Sequence, residues 1–187
     1  MRLIPLFAVL ILSFMPFHAE ARSHKFAKKL EQEAIDLTTP APKDNEACFA
    51  PDENCDAKLV KYILSAKESL DIAIFELTHQ KIVDAIVQQS FKIKVRLIIN
   101  RKMSKDNDKA IETLRENKVF FRIGKQKGIM HNKFTILDGK RLETGSFNYT
   151  NAASHSNQEN QIYLSTPSIV ERYKERFQKM WENGITR

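Results

Sequence analysis

Five side chains near the C-terminal third of the chain have the types and spacing to break a phosphodiester: His131, Lys133, Ser146, Asn148 and Glu159. Phosphodiesters resist attack because their anionic oxygens repel nucleophiles and their alkoxides leave poorly. A site therefore needs a nucleophile, positive charge for the phosphoryl oxygens and an acid for the leaving oxygen. An imidazole can be the nucleophile through a covalent phosphohistidine. In this reading His131 attacks, Lys133 supplies a point charge, Asn148 a neutral donor and Ser146 a further hydrogen bond. Glu159 accepts from one ring nitrogen of His131, fixing the tautomer and freeing the other nitrogen. Asp138, five residues after Lys133, orders the local hydrogen bonding and does not touch substrate.

The run HNKFTILDGKRLETGSFNYT (131–150) explains how these groups are gathered. His131, Lys133 and Thr135 share one face of a strand because side chains alternate with period two, and Phe134 and Ile136 point into a core. Asp138-Gly139 signals a hairpin turn. Gly145-Ser146 then ends the returning strand beside the start of the first. A polar loop leads on to Glu159, eleven residues past Asn148.

These residues, in this order, resemble the HKD motif of the phospholipase D superfamily, and the likeness extends from about Cys48 to Asn183. It is most similar to the small, exported, single-motif endonucleases of that superfamily. The resemblance implies a mixed sheet with helices on both faces and a pairing of two motifs at one active site. One copy of the motif is present here, without an internal repeat. The attacking imidazole needs a second histidine in the opposite protonation state. Among the remaining histidines, His155 reads as a solvated loop residue, His79 as lying near a helix start and His24 as part of an N-terminal extension. A two-fold homodimer solves the shortage, since it places a residue near the axis opposite its own copy. No cofactor is required. No metal is required either: the acidic group Asp52, Glu53 and Asp56 reads as a solvated loop and helix cap.

A chain of 187 residues fits one domain with extra segments. Residues 1–21 read as a signal peptide, with Arg2, an apolar run from Leu3 to Phe17 and Ala19-Glu20-Ala21 as the cleavage site. The alternative is an uncleaved membrane anchor. Residues 22–46 form a polar extension containing Pro40 and Pro42, and 47–187 the catalytic domain. Export makes a disulfide between Cys48 and Cys55 the favoured state, pinning the first strand to the first helix; free thiols are the alternative.

Elsewhere strand and helix periodicities alternate, which argues an α/β layered domain with a mixed sheet. Asp56 reads as the N-cap of a helix through Leu59, Val60, Ile63 and Leu64. Leu70–Leu77, Val95–Ile99, Val119–Ile123 and Glu159–Ser165 read as strands, and 82–87 and 109–117 as helical. Thr166-Pro167 opens a final helix whose Val170, Tyr173, Phe177 and Trp181 form a core-facing stripe.

The formal net charge of +7 favours a polyanion. Arg101, Lys102 and Lys105, and again Arg122, Lys125 and Lys127, follow strands whose carboxyl ends are expected to face ligand. Nothing resembles a base-reading element, so the expected partner is nucleic acid bound without strong sequence preference: DNA, with RNA as a further substrate. The competing reading is a lipid phosphodiesterase using the same His131 and Lys133, which requires an exposed apolar rim, for example from Ile129, Met130 and Phe147. A non-catalytic binding protein finds no support, because every position the chemistry needs is filled. The protein is therefore expected in the periplasm or the medium, or at a membrane if the first segment is retained.

Overall fold

The structure is a computed structural model, and it describes residues 38–100, 108–124 and 128–186. The expected signal segment, most of the polar extension, and Arg101, Lys102, Lys105, Lys125 and Lys127 lie outside the described residues. The described strands and helices belong to a compact unit that spans Thr39–Arg187.

The strands are β1 (Glu46–Ala50), β2 (Ser69–Ile74), β3 (Lys94–Ile99), β4 (Phe121–Ile123), β5 (Lys133–Leu137), β6 (Arg141–Gly145), β7 (Glu159–Leu164) and β8 (Ile185–Thr186). The helices are α1 (Cys55–Leu64), α2 (Gln80–Ser90), α3 (Lys109–Glu116), α4 (Asn151–His155) and α5 (Pro167–Glu182). Among the described residues, the eight strands form one mixed sheet in the order β1-β7-β6-β5-β2-β3-β4-β8. β2, β3 and β4 run parallel, joined by helical crossovers, whereas β5, β6 and β7 are antiparallel neighbours. β5 pairs antiparallel with β2 and sets Lys133 opposite Ile74. The start of β5 and the carboxyl ends of β2, β3 and β4 therefore meet at one edge.

Two cores cover the two faces. One holds Leu59, Ile63, Ile72, Ile74, Ile82, Ile86, Leu97, Ile111 and Leu114, joining α1, α2 and α3 to the sheet. The other seats α5 against Ala73, Ile98, Phe134 and Ile136 through Val170, Phe177 and Trp181, with Tyr173 at its margin. The four-residue stripe of the last helix is thus core packing. Arg96 lies over the rings of Phe177 and Trp181 while holding Asp71 through two hydrogen bonds of 2.7 Å. This bidentate pairing lets a charged strand residue sit under a helix. Gln89, itself buried, donates to the carbonyls of Ile63 and Ala66 and so closes the end of α1.

One local expectation changes. α1 begins at Cys55 with Asn54 as N-cap, so Asp56 lies inside the first turn instead of capping it. Its carboxylate is buried and faces His79 at 3.2 Å. The cysteines are joined, Cys48 to Cys55, and tie β1 to α1. Among the described residues no helix is long and apolar enough to cross a membrane.

Candidate active site

The hairpin β5–β6 forms because Asp138 (φ 54°) and Gly139 (φ 62°) both take positive φ, the requirement of a tight type I′ connection. Asp138 then spends its carboxylate on three backbone N–H groups, those of Lys67, Glu68 and Ser69, at 2.8–3.2 Å. Burial opposes its ionisation, but these donors hold its pKa below the usual value. Asp138 thus orders the hairpin and the loop between α1 and β2, at the opposite end of β5 from Lys133.

At the other end of the hairpin Gly145 permits a close approach. A Cβ there would lie 2.0 Å from the carbonyl oxygen of Asn160, so only glycine lets the end of β6 meet the start of β7. That approach joins Ser146 to Glu159. The Ser146 hydroxyl donates a short hydrogen bond to the Glu159 carboxylate and accepts from the Asn160 N–H at 3.1 Å. Asn157 donates to the second carboxylate oxygen of Glu159 at 3.0 Å.

His131 is exposed just ahead of β5, and Lys133 is 5 % exposed at its first residue. The ammonium nitrogen lies 3.0 Å from each ring nitrogen of His131 and donates to the His131 carbonyl at 2.9 Å. Phe75, one residue past β2, supports both groups: its ring centroid is 4.7 Å from the imidazole and 5.1 Å from the ammonium. Burial pushes the Lys133 pKa down, and the charges of Glu159 and Glu76 oppose that shift. A buried ammonium in this setting is a concentrated positive charge, suited to phosphoryl oxygens.

Asn148 follows two residues after Ser146. Its segment is fixed by Tyr149, whose N–H donates to the carbonyl of Glu76 at 3.0 Å and whose carbonyl accepts from Thr78 at 2.8 Å. The side-chain oxygen of Asn148 is buried with no hydrogen-bond partner among the described residues, so this amide is not spent on structure.

Of the site residues read from the sequence, the structure sets Lys133 against His131 and Ser146 against Glu159, while the side-chain oxygen of Asn148 has no partner among the described residues. The Glu159 carboxylate is held by Ser146 and Asn157, and the ring nitrogens of His131 face Lys133. Arg122 commits its guanidinium to the carbonyl of Trp181 and lies 4.6 Å over that indole ring, on the α5 face of the sheet. Phe75, Asn157 and a buried carboxyl at Glu143 escaped notice. Phe75 alone carried a signal, as an aromatic residue at the carboxyl end of a strand. Glu143 looked like any polar residue on a short strand.

This fold and site define the class: the chain belongs to the phospholipase D superfamily, matching the family described as "Cardiolipin synthase, PLD-like domain" over residues 59–181. Among curated relatives it is 32% identical to the mitochondrial cardiolipin hydrolase of Chlamydomonas reinhardtii over 67% of this chain, and 33% identical to the phospholipase D of Rickettsia conorii over the same share. It spans 57% and 64% of the lengths of those two proteins. Among solved structures it is similar to Nuc of Salmonella typhimurium, a phospholipase D family member (TM-score 0.70, 25% identity, 76% of this chain and 96% of that one). It is likewise similar to NucT from Helicobacter pylori (TM-score 0.68, 28% identity, 77% and 99%).

Proposed function

We propose that the protein is an exported, metal-independent phosphodiesterase that cleaves DNA, with RNA as a further substrate, at an active site shared by two copies of the chain. The observation that carries this reading is the buried Lys133 ammonium held 3.0 Å from the ring nitrogens of an exposed His131. That pair offers a nucleophile and a phosphoryl clamp within one substrate's reach. A phosphodiester anion entering the edge competes for the ammonium, and as Lys133 turns to the non-bridging oxygens it releases the imidazole lone pair.

A ring nitrogen of His131 then attacks phosphorus, forming the P–N bond as the P–O bond to the leaving group breaks. The imidazolium of the second copy's His131 gives its proton to the leaving oxygen. In the second step that imidazole, now neutral, takes a proton from water. The resulting hydroxide displaces His131 by breaking P–N, restoring both protonation states. Asn148 donates to the phosphoryl oxygens, and Ser146 holds Glu159 at the cleft wall.

Nucleic acid is favoured over lipid by the surroundings of the motif. Of the residues expected to form an apolar rim, Met130 and Phe147 are buried and only Ile129 is exposed. On the α5 face of the sheet, the side to which Asn132 and Phe134 turn, a groove of about 420 Å³ is lined by Asn132, Phe134, Ile169, Arg172, Tyr173 and Arg176, whose two exposed arginines suit a polyanion. The chain also spans nearly the whole of Nuc and NucT but much less of the named lipid hydrolases.

The test is plasmid cleavage by purified protein in excess EDTA, with His131→Ala alongside and phospholipid vesicles as a parallel substrate. Cleavage by wild type, with a loss of at least about a thousandfold in the variant, is expected. Loss of wild-type cleavage in EDTA would exclude the metal-free route. Intact DNA with hydrolysed vesicles would transfer the function to lipid.

A further inference from the structure

Three side chains outside the reaction converge near the same end of the sheet. Asp56 lies in the first turn of α1, His79 is the N-cap of α2 and His155 is the last residue of α4. One ligand atom from each lies within 4.8 Å of the other two. Asp56 is 3 % and His79 4 % exposed, while His155 reaches solvent.

The Nε2 of His79 and the Oδ2 of Asp56 face each other at 3.2 Å. Two lone pairs directed at one another need a positive centre between them, either a proton or a cation. A proton serves two of the three donors; a metal ion serves all three. At zinc–ligand distances of about 2.0–2.1 Å, tetrahedrally arranged ligands stand roughly 3.3–3.4 Å apart, close to the observed separation. His155, being exposed, is free to close the remaining gap. The other nitrogen of His79, Nδ1, is buried without a hydrogen-bond partner among the described residues, so the contact with Asp56 alone sets the tautomer, and a metal at Nε2 would shift the proton to Nδ1.

We propose that Asp56, His79 and His155 form a site for a divalent transition metal, zinc by the preference of two imidazoles and one carboxylate, which fastens α1, α2 and α4 to one another. Hard cations such as magnesium and calcium favour all-oxygen ligand sets. Three protein ligands leave a fourth position, on the exposed side of His155, for water. The Cys48–Cys55 bridge fixes the chain immediately before Asp56, so one ligand is already anchored. Asn157, which holds Glu159, follows His155 by two residues, and the metal would steady that segment without entering the phosphodiester reaction.

The experiment is calorimetric titration of zinc chloride into the chelator-stripped full chain with its disulfide intact, using magnesium chloride as the control, together with thermal melting. One equivalent of zinc should bind and raise Tm, with no response to magnesium. His155→Ala changes an exposed residue and should weaken binding by at least the roughly 10- to 100-fold that loss of a mere supporting partner costs. Asp56→Asn should do the same. His131→Ala should leave binding unchanged. Absence of zinc heat, undiminished binding by His155→Ala, or loss of binding in His131→Ala would each overturn the assignment. None of these readouts depends on whether the substrate is nucleic acid or lipid.

Discussion

The hydroxyl of Tyr149 donates to the fully buried carboxyl of Glu143 at 2.9 Å and accepts from Thr135 at 2.5 Å. This joins the segment that carries Asn148 to the strand that carries Lys133. Thr135 is Glu143's cross-strand partner on β5, so the link runs beneath the site through the sheet.

Burial raises the Glu143 pKa to about 8, against the opposing hydrogen bond from Tyr149. The unfolded chain releases this proton near pH 4.3, so the folded state binds it more tightly. Stability from this group is complete below the unfolded pKa and is lost as pH rises through about 8. Melting curves between pH 5 and 9 should therefore show a fall in Tm, corresponding to a few kcal/mol at most. Glu143→Gln should remove that part of the pH dependence, and an unchanged slope would place the titration elsewhere.

Lys133→Met should preserve the fold of the strand while costing about a hundredfold or more in rate, as expected when a preorganised donor is lost. In the wild type, the alkaline limb of the rate should begin below the ordinary lysine value of 10.5, because burial lowers the pKa of this ammonium. Steady-state rates across pH check both statements. A limb at or above the ordinary value would mean that the ammonium is solvated in the working enzyme.

Ser146→Ala removes the hydroxyl that holds Glu159 and should lower kcat roughly tenfold, with KM little changed. Glu159→Gln should slow turnover without abolishing substrate binding. If Ser146→Ala leaves kcat untouched, the short contact between these residues is structural only.

Subunit mixing tests the proposal that two copies share one site. Co-refolding wild type with excess His131→Ala should depress activity beyond simple dilution, because a mixed pair has one imidazole for two roles. Strictly linear dilution would locate the acid within each chain.

Much of this arrangement could be read along the chain because alternation and turn chemistry are local. The β5 pattern separated Lys133 and Thr135 from Phe134 and Ile136, and Asp138-Gly139 announced a hairpin that both positive φ angles explain. The stripe on α5 identified its core face in the same way. What could not be read were partners chosen across strands. Asp56 has the chemistry of a helix cap, yet His79, brought in by the next crossover, takes its carboxylate. Glu159 was assigned to His131, while Ser146 and Asn157 lie nearer because Gly145 lets two backbones close up. Arg122 belongs to a basic run, but the register of a short strand turns it toward Trp181. Burial of Glu143 depends on its neighbours on β5 and β7, which the order of residues along β6 does not reveal.

The anchoring of Asp138 bears on how loss-of-function variants of this chain are to be sorted. Five residues of β5 put its carboxylate roughly 16 Å from the ammonium end of the strand, tethering residues 67–69. A selection for inactive clones would recover changes at Asp138 beside changes at His131 and give them the same phenotype. On the proposed mechanism the two groups would fail for unrelated reasons, one by releasing the frame and one by removing the reactive atom. On that reading a motif letter would be indispensable to a chemistry it never meets.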